Sequence, residues 1–430
     1  MSTDDFTIEQ APGLRQIAQA MPGRVADSFA HVRAKLGGVD FEDAALVAVM
    51  QDIVAGRYAD VHIAAFLAAC AGNRMSLKET IGLTRAMVAA GDRMHWDYTP
   101  VVDKHCVGGL PGNRTTPIVV AIAAACGLYM PKTSSRAITS AAGTADTMET
   151  LTTVDLSLEE IREVVDAQGG CIVWGGAMRL SPTDDILIGV ERALKLNNPH
   201  QLVASILSKK AAAGSSQVLI DIPVGPSAKF KSTQAADALT ALMHAVAAPM
   251  GLNLTIIQSD GRQPVGRGIG PALEARDILA VLQNDPGAPL DLRARSAMLA
   301  GHLLEASGLA NVGNGATMAD SVIEGGRAWD KFEAICEAQG GLRRPPTALF
   351  QHEFLASHAG IVARINNPKL ATVAKLAGAP GAPAAGLEFL APIGASIERG
   401  QPLFIIHAES PDALQTALDY AQAHPDIVEF

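Results

Sequence analysis

Between residues 40 and 91 the apolar positions recur at helical spacing. Asp40 precedes the stripe Leu46, Val49, Met50, Ile53 and Val54, and Gly56 closes it. Asp60 opens a second stretch with Ile63, Phe66, Leu67 and Cys70 on one face and Gly72 as its stop. Ser76-x-x-Glu79 forms a capping box for a third, which runs through Ile81, Thr84, Met87 and Val88 to Gly91. A repeat near 3.6 residues gathers such positions on one helix face, and the box satisfies the first free N–H groups. No strand pattern interrupts these stretches, so the pattern predicts an all-helical unit. Before them, Pro12, Gly13, Pro22 and Gly23 leave only short helical pieces.

From Val101 the texture alternates. Val101-Val102 reads as the end of a strand, a glycine-rich turn follows, and Ile118 to Ile122 starts a helix closing at Gly127. Leu128 to Pro131 reads as a strand ending in a polar loop from Lys132 to Arg136. Ser157-x-x-Glu160 caps a helix that Gly169-Gly170 ends, and Cys171 to Trp174 is the next strand. Residues 178–214 turn helical, notably Gln201 to Ala213, before Val218 to Ile222 and Leu254 to Ile257 resume the strands. Pro271 sits at the favoured first position of another helix. Alternation of this kind implies a mostly parallel sheet covered by helices. After Arg343-Arg344-Pro345-Pro346, short apolar pieces between Gly/Pro clusters predict a small β-rich unit. The expectation is an α/β protein: a helical domain (1–98 with 178–214), a larger mixed α/β domain across a cleft (99–177 with 215–342) and a C-terminal β-rich subdomain (343–430).

Composition narrows the function classes. With 48% apolar but only 4% aromatic residues, aliphatic side chains must do most of the packing. A net charge of −10 argues against a surface that coats nucleic acid. The five cysteines form no CxxC pair, which argues against a structural zinc or disulfide framework and for a reducing compartment. The acidic start has no apolar signal region behind it, and no apolar run is long enough to span a bilayer. A cytoplasmic protein without membrane or nucleic-acid partners is expected.

The chemistry concentrates in three stretches. Asp103-Lys104-His105-Cys106-Val107-Gly108-Gly109-Leu110-Pro111-Gly112-Asn113-Arg114-Thr115-Thr116 reads as strand, turn and helix start. Backbone N–H groups at such a turn favour an anion, and glycine lets it approach closely. A P-loop is a poor description, because Gly-Lys-Ser/Thr is missing at its end and Lys104 precedes the glycines. Thr133 to Asp146 is a second hydroxyl-rich loop at a strand end, where open α/β folds bind ligands. Third, Ser205 and Lys209 stand four residues apart and, with Arg192, suit a carbonyl-bearing base. Spacing alone fits a solvated stripe at least as well.

Together, Asp103 to Thr116, Ser134 to Asp146 and Ala204 to Lys210 resemble the thymidine/pyrimidine-nucleoside phosphorylase family, and most of all its AMP phosphorylase and type-2 thymidine phosphorylase branch. The match runs from about residue 40 to the C-terminus. AMP phosphorylases carry an extra N-terminal domain for which this chain has no room. The resemblance implies a cleft that closes on substrate, a homodimer, and phosphorolysis with inorganic phosphate as co-substrate and neither cofactor nor metal. Phosphate would meet Lys104, Cys106, Gly109, Thr116, Ser134 and Thr144. Sugar and base would meet Ser135, Arg136, Ala137, Ile138, Thr139, Ser140, Arg192, Ser205, Lys209 and Lys229.

Three positions depart from the family pattern. Cys106 replaces a serine, and a thiol is the poorer donor. Gly189 replaces an aromatic residue, which leaves room for a nucleotide or a larger base. Asn197 stands where the family has an aspartate acting as proton donor, and an amide is no acid. His200, Asp184 or Asp185 can take that role. The expected activity is release of free base with ribose 1-phosphate or ribose 1,5-bisphosphate from a nucleoside or its 5′-monophosphate. The alternative is a family member that binds a phosphosugar or nucleotide without turnover.

Overall fold

The structure, a computed structural model, describes residues 26–430 except 113, 138–139, 177–179, 195 and 197, and only the backbone of Arg192. Four helices open the described chain: α1 (Phe29–Leu36), α2 (Asp43–Val54), α3 (Asp60–Cys70) and α4 (Leu77–Ala89). Ser76 Oγ accepts from Glu79 N, and Glu79 Oε2 accepts in turn from Ser76 N, which is the predicted capping box. The apolar stripes meet in one core around Leu46, Val49, Met50, Phe66 and Met87. Glu79 also holds Lys35 at 2.5 Å, so the box ties α4 to α1. Helix α1 lies where the sequence pattern shows only short helical pieces.

The α/β portion runs β1 (Val102–Cys106), α5 (Thr115–Ala125), β2 (Met130–Ser134), α6 (Thr144–Glu149), α7 (Leu158–Gln168) and β3 (Gly170–Trp174). It then makes a helical excursion, α8 (Pro182–Leu194) and α9 (Pro199–Ala212), and returns through β4 (Gln217–Val224), α10 (Thr233–Ala247) and β5 (Asn253–Asp260). Strands β1, β4 and β5 pair in parallel, as do β2 and β3, and a Val101–Tyr129 bridge joins the two sets. The resulting order β3-β2-β1-β4-β5 reverses direction at β1, which makes the carboxyl end of β1 the place for a ligand. Strand β2 is longer than its pattern suggested: Lys132, Thr133 and Ser134 stay in register with Ile172, Val173 and Trp174 instead of looping out. A buried lysine is tolerated there because Asp103 pairs with Lys132 at 3.3 Å.

Helix α9 belongs to two cores. Ala204 packs with the helical unit, while Val203, Ile206 and Leu207 pack on β4. After β6 (Gly268–Ile269) come α11 (Pro271–Leu282), α12 (Leu290–Ala306), α13 (Gly315–Glu324) and α14 (Arg327–Ala338), which cover the other face around Ile118, Val119 and Phe332. The C-terminal unit contains β7 (Phe350–Leu355), β8 (Gly360–Ile361), β9 (Arg364–Ile365), α15 (Asn367–Leu376), β10 (Gly386–Phe389), β11 (Ser396–Ile397), β12 (Pro402–Ala408), α16 (Pro411–Ala423) and β13 (Val428–Glu429). Its main antiparallel sheet has the order β6-β10-β12-β7, so residues 268–269 contribute a strand to this unit. Helices α15 and α16 are additions to the β-rich expectation, each signalled by a polar N-cap, Asn366 or Ser410, with proline just inside.

Candidate active site

The glycine-rich turn follows the carboxyl end of β1. Lys104 is fully buried, and its Nζ donates to Thr115 Oγ1 at 2.7 Å and Thr116 Oγ1 at 3.3 Å, both in the first turn of α5. No carboxylate among the described residues pairs with Lys104. A buried cation beside a helix N-terminus, with hydroxyl partners only, is arranged for an anion. Gly109 has φ +54°, a left-handed conformation that a side chain would strain. Gly112 is tight for another reason: a Cβ there would lie against Cys106 Sγ and 3.2 Å from Asp221 Oδ2. Burial and the neighbouring Asp221 both push the Cys106 thiol up, so it stays protonated and faces that carboxylate. A protonated thiol is a poorer donor to phosphate than a hydroxyl.

Arg114 does not face an anion. It is buried, donates from Nη1 to Val265 O, and its Nη2 lies 3.4 Å from Glu274 Oε1 on α11. Its role is to fasten the end of the turn to the body of the domain. On the other side, Asp103 holds Lys210 at 2.6 Å and Lys132 at 3.3 Å. Burial raises the Asp103 carboxyl, but Lys132 and Lys210 outweigh it and leave the group below its ordinary value.

The second loop, from Ser135 to Gly143, is pinned by Asp146 of α6. Asp146 Oδ2 accepts from Ala137 N at 2.6 Å and from Gly143 N at 2.9 Å. Arg136 reaches Asp146 at 3.2 Å and forks onto Glu149 at 2.6 and 2.8 Å. Its guanidinium also lies 4.9 Å over the Trp174 ring. These partners raise an already basic group further, so Arg136 is a permanent, engaged cation. Ser134 Oγ, at the end of β2, is buried without a hydrogen-bond partner among the described residues. An orphaned hydroxyl at a sheet's carboxyl edge is a place for a ligand oxygen. Ser140 Oγ donates to Ala142 O at 2.7 Å, and Thr144 is the first residue of α6.

A cavity of about 420 Å³ opens between this edge and the helical excursion. From the sheet come Thr133, Ser134, Ser135, Arg136, Trp174, Gly175 and Gly176, and from the helical side Leu180, Ser181, Asp185, Ile188, Gly189 and Lys209. Lys209 Nζ lies 2.6 Å from the buried Asp184 Oδ2. Burial opposes its charge, but Asp184 and then Asp185 more than offset this and raise the lysine above its ordinary value. Among the described residues, a Cβ on Gly189 would meet nothing within 4 Å, which agrees with the room expected from the missing aromatic residue.

The cavity lining thus gathers Ser134, Ser135, Arg136 and Lys209, and leaves out Lys104, Cys106, Gly109, Thr116, Thr144, Ala137, Ser140, Ser205 and Lys229. Lys229 borders the glycine turn instead, with its Cβ 3.8 Å from where a Gly108 Cβ would be. His200 Nδ1 lies 2.7 Å from Thr80 Oγ1 on α4, burial lowers its basicity, and it is not among the residues that line this cavity. It joins α9 to α4. Ile138, Thr139 and Asn197 lie outside the described residues, as does the side chain of Arg192 in α8. Sequence reasoning missed Trp174-Gly175-Gly176. The available signal was parallel pairing: whatever follows β3 must share an edge with whatever follows β2.

A parallel sheet and a facing helical unit border a cleft bearing hydroxyls and cations, and the family matches assign this arrangement to the glycosyl transferase class. The "Glycosyl transferase family, a/b domain" matches residues 98–329, its "helical bundle domain" residues 31–91, and the "Pyrimidine nucleoside phosphorylase C-terminal domain" residues 361–427. The chain belongs to the thymidine/pyrimidine-nucleoside phosphorylase family and is a pentosyltransferase of the phosphorylase type. It is 58% identical over 402 residues to a "Putative thymidine phosphorylase" of Polaromonas sp., covering 94% of this chain and 79% of that protein. It is 51% identical over 438 residues to one of the same description from Hahella chejuensis, covering 99% and 87% respectively. Anthranilate phosphoribosyltransferase from Thermus thermophilus shares the fold, with a TM-score of 0.59 at 20% identity over 72% of this chain and 98% of that one. Among the described residues no helix is long and apolar enough to cross a membrane.

Proposed function

We propose that the protein cleaves the N-glycosidic bond of a nucleoside or nucleoside 5′-monophosphate with inorganic phosphate, giving free base and ribose 1-phosphate or ribose 1,5-bisphosphate. The observation that carries this is the facing pair of edges in one cavity: Ser134, Ser135 and Arg136 at the sheet, Lys209 with Asp184 on the helices. Phosphate binds beside Lys104, Thr116 and the unpartnered Ser134 hydroxyl, with the turn at Gly109 supplying backbone N–H groups. A phosphate oxygen attacks the anomeric carbon while the bond to the base nitrogen breaks with oxocarbenium character. The electron pair leaves with the base, and the Lys209 ammonium stabilises it. Asp185 is the carboxyl lining the same cavity and supplies the proton that Asn197 cannot. The cleft orients both reactants. Open space at Gly189 favours a 5′-monophosphate or a larger base over thymidine. We further infer a cytoplasmic homodimer; sedimentation as a 44.7 kDa species would refute the dimer.

The test is phosphate-dependent release of free base from a panel of nucleosides and their 5′-monophosphates. Release from monophosphates alone supports the Gly189 argument, and release from thymidine or uridine shows that the missing ring does not set specificity. Ligand binding without release from any of them refutes the catalytic reading and favours a binding protein.

A further inference from the structure

A second cavity, of about 530 Å³, lies where the α/β domain meets the C-terminal unit. We propose that it binds a small phosphorylated anion and that Arg136 couples it to the catalytic cavity. The two carboxylates in its wall, Asp146 and Glu149, are already engaged by Arg136 at 3.2 Å and at 2.6 and 2.8 Å. With Arg343, which also acts on Glu149, and Arg344 beside them, the wall carries three guanidinium groups against two carboxylates, a surplus of one positive charge. Arg343 donates from Nη2 to Thr153 Oγ1 at 3.1 Å, and Arg344 has no ion pair among the described residues. Two adjacent planar forks suit phosphate oxygens better than a single cation does. The lining also includes Pro271, Pro346, Pro380 and Pro383, apolar surface against which a sugar or base can pack. Volume and position between two units are those of a small-molecule site.

Arg136 is the wall common to both cavities. On one side it lies over Trp174, and on the other it meets Glu149, while Asp146 links it to Ala137 N and Gly143 N. An anion that competes for Arg136 changes the Trp174 stack and the hold on the 135–143 loop. This coupling rests on the catalytic reading above; binding itself does not.

The probe is ribose 5-phosphate, which has no base to lose, titrated by calorimetry and by tryptophan emission. The parent should show two sites per chain. Arg343→Ala with Arg344→Ala should weaken one of them about tenfold or more, leaving basal phosphorolysis unchanged. Lys104→Ala should weaken the other. Trp174→Phe should remove the emission change that accompanies the Arg343/Arg344-dependent site. Arg344→Glu breaks no side-chain hydrogen bond or ion pair among the described residues and should abolish that site. Unchanged affinity and stoichiometry in the arginine variants, or a single site removed by Lys104→Ala, would overturn the proposal. Because binding is read without turnover, absent phosphorolysis bears on the catalytic reading alone, and the titration still decides this one.

Discussion

Glu274 is 1% exposed and 3.4 Å from Arg114, the residue that fastens the glycine-rich turn. Burial lifts its carboxyl from the ordinary 4.5 to about 7, against the opposing pull of Arg114. Between those values the folded protein keeps a proton that the unfolded chain has released, so this group's contribution to stability falls as pH rises through that window. The full difference between the protonated and ionised limits is about 3 kcal/mol. Glu274→Gln keeps the shape and stays neutral at every pH. Its stability relative to the parent should therefore climb by up to about 3 kcal/mol across the window and level off above it. Asp277 is present in both proteins and largely cancels. The assay is urea unfolding of parent and variant at half-unit pH steps, comparing midpoints and slopes. A gap that stays constant, or narrows as pH rises, would show that Arg114 already keeps Glu274 ionised in the fold, and the burial argument would fail.

Two substitutions probe the cavity walls. Gly189→Phe adds a ring on α8 where the glycine has no near neighbour among the described residues, so stability should hold or rise, by about 0.5 kcal/mol of helix propensity. Ratios of kcat/KM between thymidine and a nucleoside 5′-monophosphate should shift toward thymidine; unchanged ratios would remove Gly189 from the account of specificity. Gly143→Ala puts a Cβ against Ser135 O and 2.6 Å from the Arg136 carbonyl carbon, so the loop must move. Base release should drop by about 100-fold or more, as when a site is displaced by an ångström. Near-parental rates would show that the loop is not held where it acts.

The elements legible in the sequence were those whose stability is local. Ser76 and Ser157 announce helices by reciprocal hydrogen bonds three residues apart, and both boxes are present. The buried parallel strands were legible as apolar runs, since both faces of Val218 to Ile222 are covered. Long-range pairing was not legible. Lys132 looked like a loop residue because its partner Asp103 is far along the chain, and Gly268–Ile269 looked like a lead-in to α11 because β10 lies more than a hundred residues on. The same blindness affected charge: nothing local in the sequence places Arg114 beside Glu274 and Val265. His200 looked like a spare acid until Thr80 took its ring.

Adjacent lysines on α9 have separate tasks, and that division explains how a site between two units can be held in place. Lys210 is buried and bonded to Asp103 of β1 at 2.6 Å, so this turn of α9 is tied to the sheet. Val203, Ile206 and Leu207 pack the same helix onto β4. Lys209, one residue earlier, faces the cavity with Asp184 as its counter-ion. Its place opposite Ser134 and Ser135 is therefore held from the sheet by Lys210 and from the helical unit by Ala204 and His200. Asp103 also takes up Lys132, which leaves Lys104 as the buried lysine of β1 with only hydroxyls for partners. One aspartate satisfies two lysines, and the positive charge left over stands at the end of β1, where the strand order reverses and an anion has room to bind.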